Sequence, residues 1–217
     1  MTIGIVSSKS SNIGSLLKIL KRMPLSNIDV LEHPDASILE TTDYIILPGV
    51  SSFDASVRSL RDNGFYEYIK SFKKNSGKGV VGICAGAQVL FESSEEGSQE
   101  GIGLLPGRVR KISPKNNILL PHIGWNHIRP SKKRESSIYI DQEKPFYFCH
   151  SYRFPDSKNT VAYTDYGETF PSIVSDGQVT AIQFHPEKSY SQGLELLKSI
   201  ISRSYVKAKN NTSIATV

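Results

Sequence analysis

Four short strand-like runs, residues 3–6 (IGIV), 28–31 (IDVL), 44–47 (YIIL) and 79–83 (GVVGI), alternate with amphipathic segments over the first part of the chain. That alternation constrains the fold more than any other feature. Between the first two runs, Ile13, Leu16, Leu17 and Leu20 fall at i, i+3, i+4 and i+7, the face of a helix over 12–23 that Pro24 stops. Residues 52–74 carry Phe53, Val57, Leu60, Phe65, Tyr68, Ile69 and Phe72 at helical spacing, with Asn63-Gly64 as a break, and 85–91 predicts a further helix. Strands separated by helices pair in parallel, because a parallel partner needs a crossover, and such a sheet is covered on both faces. The expected fold is an α/β, doubly wound, mostly parallel sheet with helices on both faces.

Beyond about residue 97 the texture changes. Residues 146–148 and 161–164 read as strands, while 172–175 and 178–182 flank Asp176-Gly177, a hairpin signal. These predict an added antiparallel layer. A last helix, from 193 to about 206, carries Leu194, Leu197, Ile200 and Ile201. A chain of 217 residues buries one sizeable core without staples. We expect a single domain over 1–208 and a polar tail over 209–217.

Several function classes are disfavoured at once. No run approaches 18 apolar residues, and the N-terminal MTIGIVSSKSSNIGS has no basic n-region before an apolar core, so neither a membrane span nor a secretory signal is expected. The expected compartment is the cytoplasm. Two cysteines, Cys84 and Cys149, make no disulfide framework, and without C-x-x-C, H-E-x-x-H or a calcium loop we expect no metal and no cofactor. The net charge of +5 and the stretch Arg129-Pro130-Ser131-Lys132-Lys133-Arg134 raise nucleic-acid binding. The stretch is short, sits beside Glu135 and lacks interleaved aromatics, so a solvated loop is the better reading.

Chemistry concentrates at two places. The run at 79–83 leads into Gly82-Ile83-Cys84-Ala85-Gly86, a G-x-nucleophile-x-G pattern with cysteine as the nucleophile. Such a nucleophile sits on a strained strand-to-helix turn, where side chains two residues away on either side would collide. A free thiol is only about 3% thiolate at pH 7, so a base or cation has to accompany it. Gln183-Phe184-His185-Pro186-Glu187 ends the last strand of the hairpin. His185 can take the thiol proton and return it to a leaving amine, and Glu187 can fix the imidazole tautomer.

The segments GICAGAQ, HPE and LPGV resemble the class I (triad-type) glutamine amidotransferases. The likeness runs over nearly the whole chain, taking in EEG at 95–97, GLLPG at 103–107, PHIGWN at 121–126, FCHSY at 148–152 and QFHPEKS at 183–189. PHIGWN is similar to the branch whose glutaminases feed a (β/α)8-barrel synthase that makes imidazole glycerol phosphate and AICAR in histidine biosynthesis. The resemblance implies hydrolysis of L-glutamine through a thioester on Cys84, with His185 as base and then acid and Glu187 as its orienter. It implies an oxyanion hole from the Val50 and Ala85 amides. It also implies a glutamine pocket of Gly49, Gln88, Glu96 and the backbone of His150-Ser151-Tyr152. Asn12, His122, Trp125, Tyr147 and Lys188 match its docking face and ammonia passage, with a heterodimer as the expected assembly.

Two departures matter. The first loop reads Ser7-Ser8-Lys9-Ser10-Ser11-Asn12 where the family often has D-Y-G before Gly-Asn, and Gly49-Val50 is followed by Ser51-Ser52 rather than glycine. A serine costs about 1 kcal/mol more than glycine in a left-handed conformation, which predicts an oxyanion hole completed only when the loaded partner docks. The rival that keeps the chemistry is a paralogous glutaminase supplying ammonia for acetamidino sugars of surface glycans. The pyridoxal phosphate synthase glutaminase shares the C-A-G elbow but lacks PHIGWN. Protease-like and chaperone relatives lack H-P-E at this spacing. A non-catalytic basic binding module is the rival of another class.

Overall fold

A computed structural model describes residues 1–7, 13–24, 27–72, 78–113, 115, 118–133 and 136–212. Asn12, the rest of the segment 8–12 and Arg134-Glu135 therefore lie outside the described residues. The elements run β1 Thr2–Val6, α1 Ile13–Leu20, β2 Asn27–Leu31, α2 Ala36–Thr41, β3 Tyr44–Gly49, α3 Phe53–Asp62, α4 Phe65–Phe72, β4 Gly79–Cys84 and α5 Ala85–Gln88. They continue with β5 Ser93–Ser94, β6 Arg108–Lys111, β7 His122–Asn126, β8 Arg129–Pro130, β9 Phe146–His150 and β10 Tyr152–Arg153. The last are β11 Thr160–Asp165, β12 Thr169–Asp176, β13 Val179–Ile182, a 3₁₀ turn Pro186–Lys188 and α6 Tyr190–Thr212.

The main sheet has the order β2-β1-β3-β4-β13-β12-β11-β8. Pairing is parallel from β2 to β13 and antiparallel from β13 to β8. The antiparallel part thus extends the same sheet, and a separate β7–β9 ribbon lies outside it. Period-two alternation splits the core. Ile46, Val81 and Ile83 face α1 and α6 together with Phe146 and Phe148. Ile45, Leu47 and Val80 face α3, α4 and the segment 102–105. Fully burying each such side chain contributes about 1.5–3 kcal/mol, which is why the central strands β3 and β4 are apolar on both faces.

Three elements differ from expectation. The helix after Cys84 ends at Gln88, because the carbonyls of Val89, Leu90 and Phe91 accept from Ile102, Leu105 and Gly103 instead of from a next helical turn. α2 was not visible as a pattern: six residues are less than two turns, although Asp35 caps it by accepting from the Ser37 N–H at 2.8 Å. α6 starts three residues before the expected Gly193 and runs to Thr212. The Asn63-Gly64 break is real, with Gly64 at φ +77° between α3 and α4. Among the described residues no helix is long and apolar enough to cross a membrane.

Candidate active site

β4 delivers Cys84 at the carboxyl end of the sheet with φ +54° and ψ −115°, a conformation that costs a non-glycine residue roughly 1–3 kcal/mol. The flanking glycines make the turn possible. A Cβ on Gly82 would lie 2.5 Å from Gly86 O and Ala87 Cα, and one on Gly86 only 2.0 Å from Leu47 O. Cys84 is buried, and its thiol meets the Cys149 carbonyl at 3.6 Å.

β13 leads to His185, whose N–H donates to Tyr147 O at 2.8 Å, so that β9 fixes the turn from outside. Ser189 Oγ clamps the same turn, donating to His185 O at 2.6 Å and accepting from the Tyr147 N–H at 3.1 Å. Pro186 opens the 3₁₀ turn that swings Glu187 back, and Glu187 Oε1 accepts from His185 Nδ1 at 2.8 Å. This leaves the other ring nitrogen, Nε2, for the sulfur. Burial disfavours charge on His185, but hydrogen bonds to Cys84 and Glu187 and the negative charge of both outweigh it. Its pKa is pushed up to about 10.

A cavity of about 440 Å³ opens over Cys84 and His185. Of the residues anticipated for a glutamine pocket and oxyanion hole, Val50, Ala85, Gln88, Glu96, His150 and Ser151 line it. Gly49 lies beneath, paired with Cys84 across β3 and β4, where a Cβ would sit 2.3 Å from Gly86 N. Tyr152 is not in the lining; its carbonyl accepts from Gln88 Nε2 at 3.3 Å. Glu96 is itself anchored. Its Oε2 accepts from the Phe53 N–H at 2.7 Å, capping α3 where Ser52 does not, and Asp54 Oδ1 in return accepts from the Ser98 and Gln99 N–H groups at 3.0 Å. The two segments hold each other. None of residues 49–52 has a positive φ, and Ser51 Oγ shares a 2.8 Å hydrogen bond with Ser56 Oγ. In this conformation the serine therefore carries no left-handed strain.

Cys149 follows the apolar run 146–148, which by itself suggests a packed neighbour of the pocket. It is exposed instead, because Phe146, Phe148 and His150 take the inward positions of β9 and leave 147 and 149 outward, yet it still lines the cavity. Pro121 and Lys188 complete that wall. On the outer side Trp125, 45% exposed, stacks on Tyr190 at 5.2 Å and meets the edge of Tyr147 at 5.7 Å, with Lys188 Nζ 5.3 Å from the Tyr147 ring. His122 is not at that surface. It is 2% exposed, stacked between Tyr166 and Phe148 on the opposite side of β7, because successive residues of a strand face opposite ways.

Burial lowers the pKa of His122 to about 4 and of His150 to about 3, the latter further depressed by His122 and His185 although its bond to Tyr152 O opposes the shift. Both are neutral in the folded chain where the unfolded chain, at about 6.5, binds protons, so stability falls as pH drops from about 6.5 toward 4. Chemical denaturation across that window should show wild type losing stability relative to His122→Phe, which keeps the stack and cannot titrate. Parallel curves would refute this. Among the described residues no group of three or more His, Cys, Asp or Glu side chains is arranged to hold a metal.

The family model for glutamine amidotransferase class-I matches residues 6–202. Relatives named imidazole glycerol phosphate synthase subunit HisH align over nearly the whole chain. The protein of Xanthomonas euvesicatoria pv. vesicatoria is 34% identical over 203 residues, 94% of this chain and 98% of that one. A Methanococcus maripaludis protein, HisH 2, is 31% identical over 204 residues, 93% and 100% of the two chains. A crystal structure of a glutamine amidotransferase superposes with a TM-score of 0.71 at 17% identity over 94% of this chain and 98% of that one, a likeness of fold.

Proposed function

This chain belongs to the class I glutamine amidotransferase family, and on that premise we propose that it is the glutaminase subunit of an imidazole glycerol phosphate synthase in histidine biosynthesis. The observation that carries the catalytic part is that Cys84 and His185 share one cavity whose wall holds Gln88 and Glu96, while Glu187 holds His185 Nδ1 from outside that cavity. His185 Nε2 takes the Cys84 proton as the sulfur attacks the γ-carboxamide carbon of L-glutamine. The Val50 and Ala85 amides stabilise the resulting oxyanion. His185 passes its proton to the departing nitrogen, so ammonia leaves and a glutamyl thioester remains. His185 then takes a proton from water, hydroxide adds to the thioester, and glutamate and the thiol are released. Glu187 holds Nδ1–H throughout, and Glu96 draws the substrate's α-ammonium.

Ammonia is passed to a (β/α)8-barrel cyclase docked on the face of Trp125, Tyr147 and Lys188, within a single domain spanning 1–208. The relatives' shared name supports the pathway. With the loop at 49–52 tied down through Ser51 and Ser56, we expect the lone chain to be a weak glutaminase that gains about 10²–10³-fold with the cyclase and its ligand, the worth of one oxyanion donor. Full-rate turnover by the lone chain would reject that. A glutamine-shaped electrophile should modify Cys84 and spare Cys149, although Cys149 is the more exposed thiol. Equal labelling would overturn the triad. A pull-down that returns a sugar-pathway barrel would overturn the histidine assignment and leave the glutaminase standing.

A further inference from the structure

The polar network behind the cavity runs in one direction, and Gln88 stands at its end. The Tyr152 carbonyl can only accept, so both groups that meet it donate: His150 through Nδ1 at 2.7 Å and Gln88 through Nε2 at 3.3 Å. With its proton on Nδ1, neutral His150 presents a bare Nε2, to which His122 Nδ1 at 3.2 Å has to donate. His122 Nε2 then accepts from Asn126 Nδ2 at 3.3 Å. The Asn126 amide is oriented independently, donating to Asp165 O at 3.0 Å and accepting from the His127 N–H at 2.8 Å. At the far end Gln88 Nε2 places its second hydrogen on Gln183 Oε1 at 3.3 Å. Turning the Gln88 amide over would set its oxygen against the Tyr152 carbonyl, which can only accept. The atom left for the cavity is therefore Oε1.

The geometry points to His122 as a positioning residue for glutamine: through His150 and the Tyr152 carbonyl it holds Gln88 with Oε1 toward the cavity, an acceptor reserved for an N–H donor of the substrate. The reason is tautomeric. Without a donor on its Nε2, His150 keeps a buried unpaired acceptor that weakens its preference for the Nδ1–H form, and a bare Nδ1 would repel the Tyr152 carbonyl and unseat Gln88. His122 can do this because Tyr166 and Phe148 pin its ring plane, with ring centroids 3.9 and 4.6 Å away. Gln183 is the second positioning residue, from the other side of the amide.

This inference rests on the cavity taking glutamine, so the test measures glutamine binding without turnover. In the full chain carrying Cys84→Ala, calorimetric Kd for glutamine should rise about tenfold on adding His122→Phe, the worth of one well-placed hydrogen bond. Adding Gln183→Leu instead should shift it in the same direction. Once Gln88→Ala is present, His122→Phe should change Kd by less than twofold. Nitrogen-15 spectra of the wild-type imidazoles should show both His122 and His150 protonated on Nδ1, a readout that needs no folded variant. Unchanged affinity in His122→Phe, an equal loss with and without Gln88, or His150 protonated on Nε2 would overturn the relay. No glutamine binding by the Cys84→Ala parent would instead overturn the glutaminase reading, and the relay's purpose with it.

Discussion

Cys84→Ala is expected to lower glutamine hydrolysis by about 10⁵–10⁶-fold, the scale seen when a triad nucleophile is lost and only binding and oxyanion stabilisation remain. Glutamine should still bind, because Gln88 and Glu96 are untouched, so the loss appears in kcat rather than KM. Glu187→Gln should cost less, about 10³–10⁴-fold, since a neutral amide can occupy the space but leaves the imidazole tautomer unfixed. It should also move the pH dependence. Burial pulls the His185 pKa down while Cys84 and Glu187 push it up, so removing the Glu187 charge lowers it from about 10. The raised pKa also means that the ion pair stabilises the fold fully below about pH 6.5 and loses that contribution as pH rises through about 10. In Glu187→Gln that alkaline loss should begin at lower pH. Kinetics at saturating glutamine and denaturation from pH 6 to 11 check both statements. A Cys84→Ala protein within tenfold of wild type would end the thioester mechanism.

Gly86→Ala should be the most damaging single methyl at the elbow. Its Cβ would stand 2.0 Å from Leu47 O and 2.7 Å from Leu47 C, both backbone atoms of β3 that no rotamer change can move. β3 and β4 would have to part where Gly49 pairs with Cys84 and Pro48 with Ile83. We expect a loss of about 3 kcal/mol or more of stability, at the upper end for overpacking, together with loss of turnover because the elbow and the Val50 amide shift together. Gly103→Ala is the control. That glycine has φ +69° with nothing within 4 Å, so the cost should be only the backbone term of about 1 kcal/mol. Equal melting temperatures for the two variants would contradict the steric account of the elbow.

Much of this was legible before any coordinates. Period-two and period-3.6 patterns are local, so the parallel strands, α1, α3 and α4 could be read from spacing, and the Gly82–Cys84–Gly86 spacing announced a strained nucleophile. His185 and Glu187 sit two residues apart, close enough for their pairing to be guessed. The short strands β5, β6, β8 and β10 escaped, because two to four residues carry no period and exist only through partners elsewhere in the chain.

The sequence alone determined the fold class and the family and marked the chief atoms of the proposed chemistry, because each is written in neighbouring residues and in local backbone strain. Tertiary structure decided what those atoms are held by. Glu96 caps α3 across 43 residues, Gln88 meets Gln183 across 95, and His122 meets His150 across 28. It also turned Cys149 outward and His122 inward, since which way a strand residue faces depends on the layer it packs against. Hydrogen-bond direction is set by whichever acceptor the fold brings near, and no periodicity in the chain encodes that.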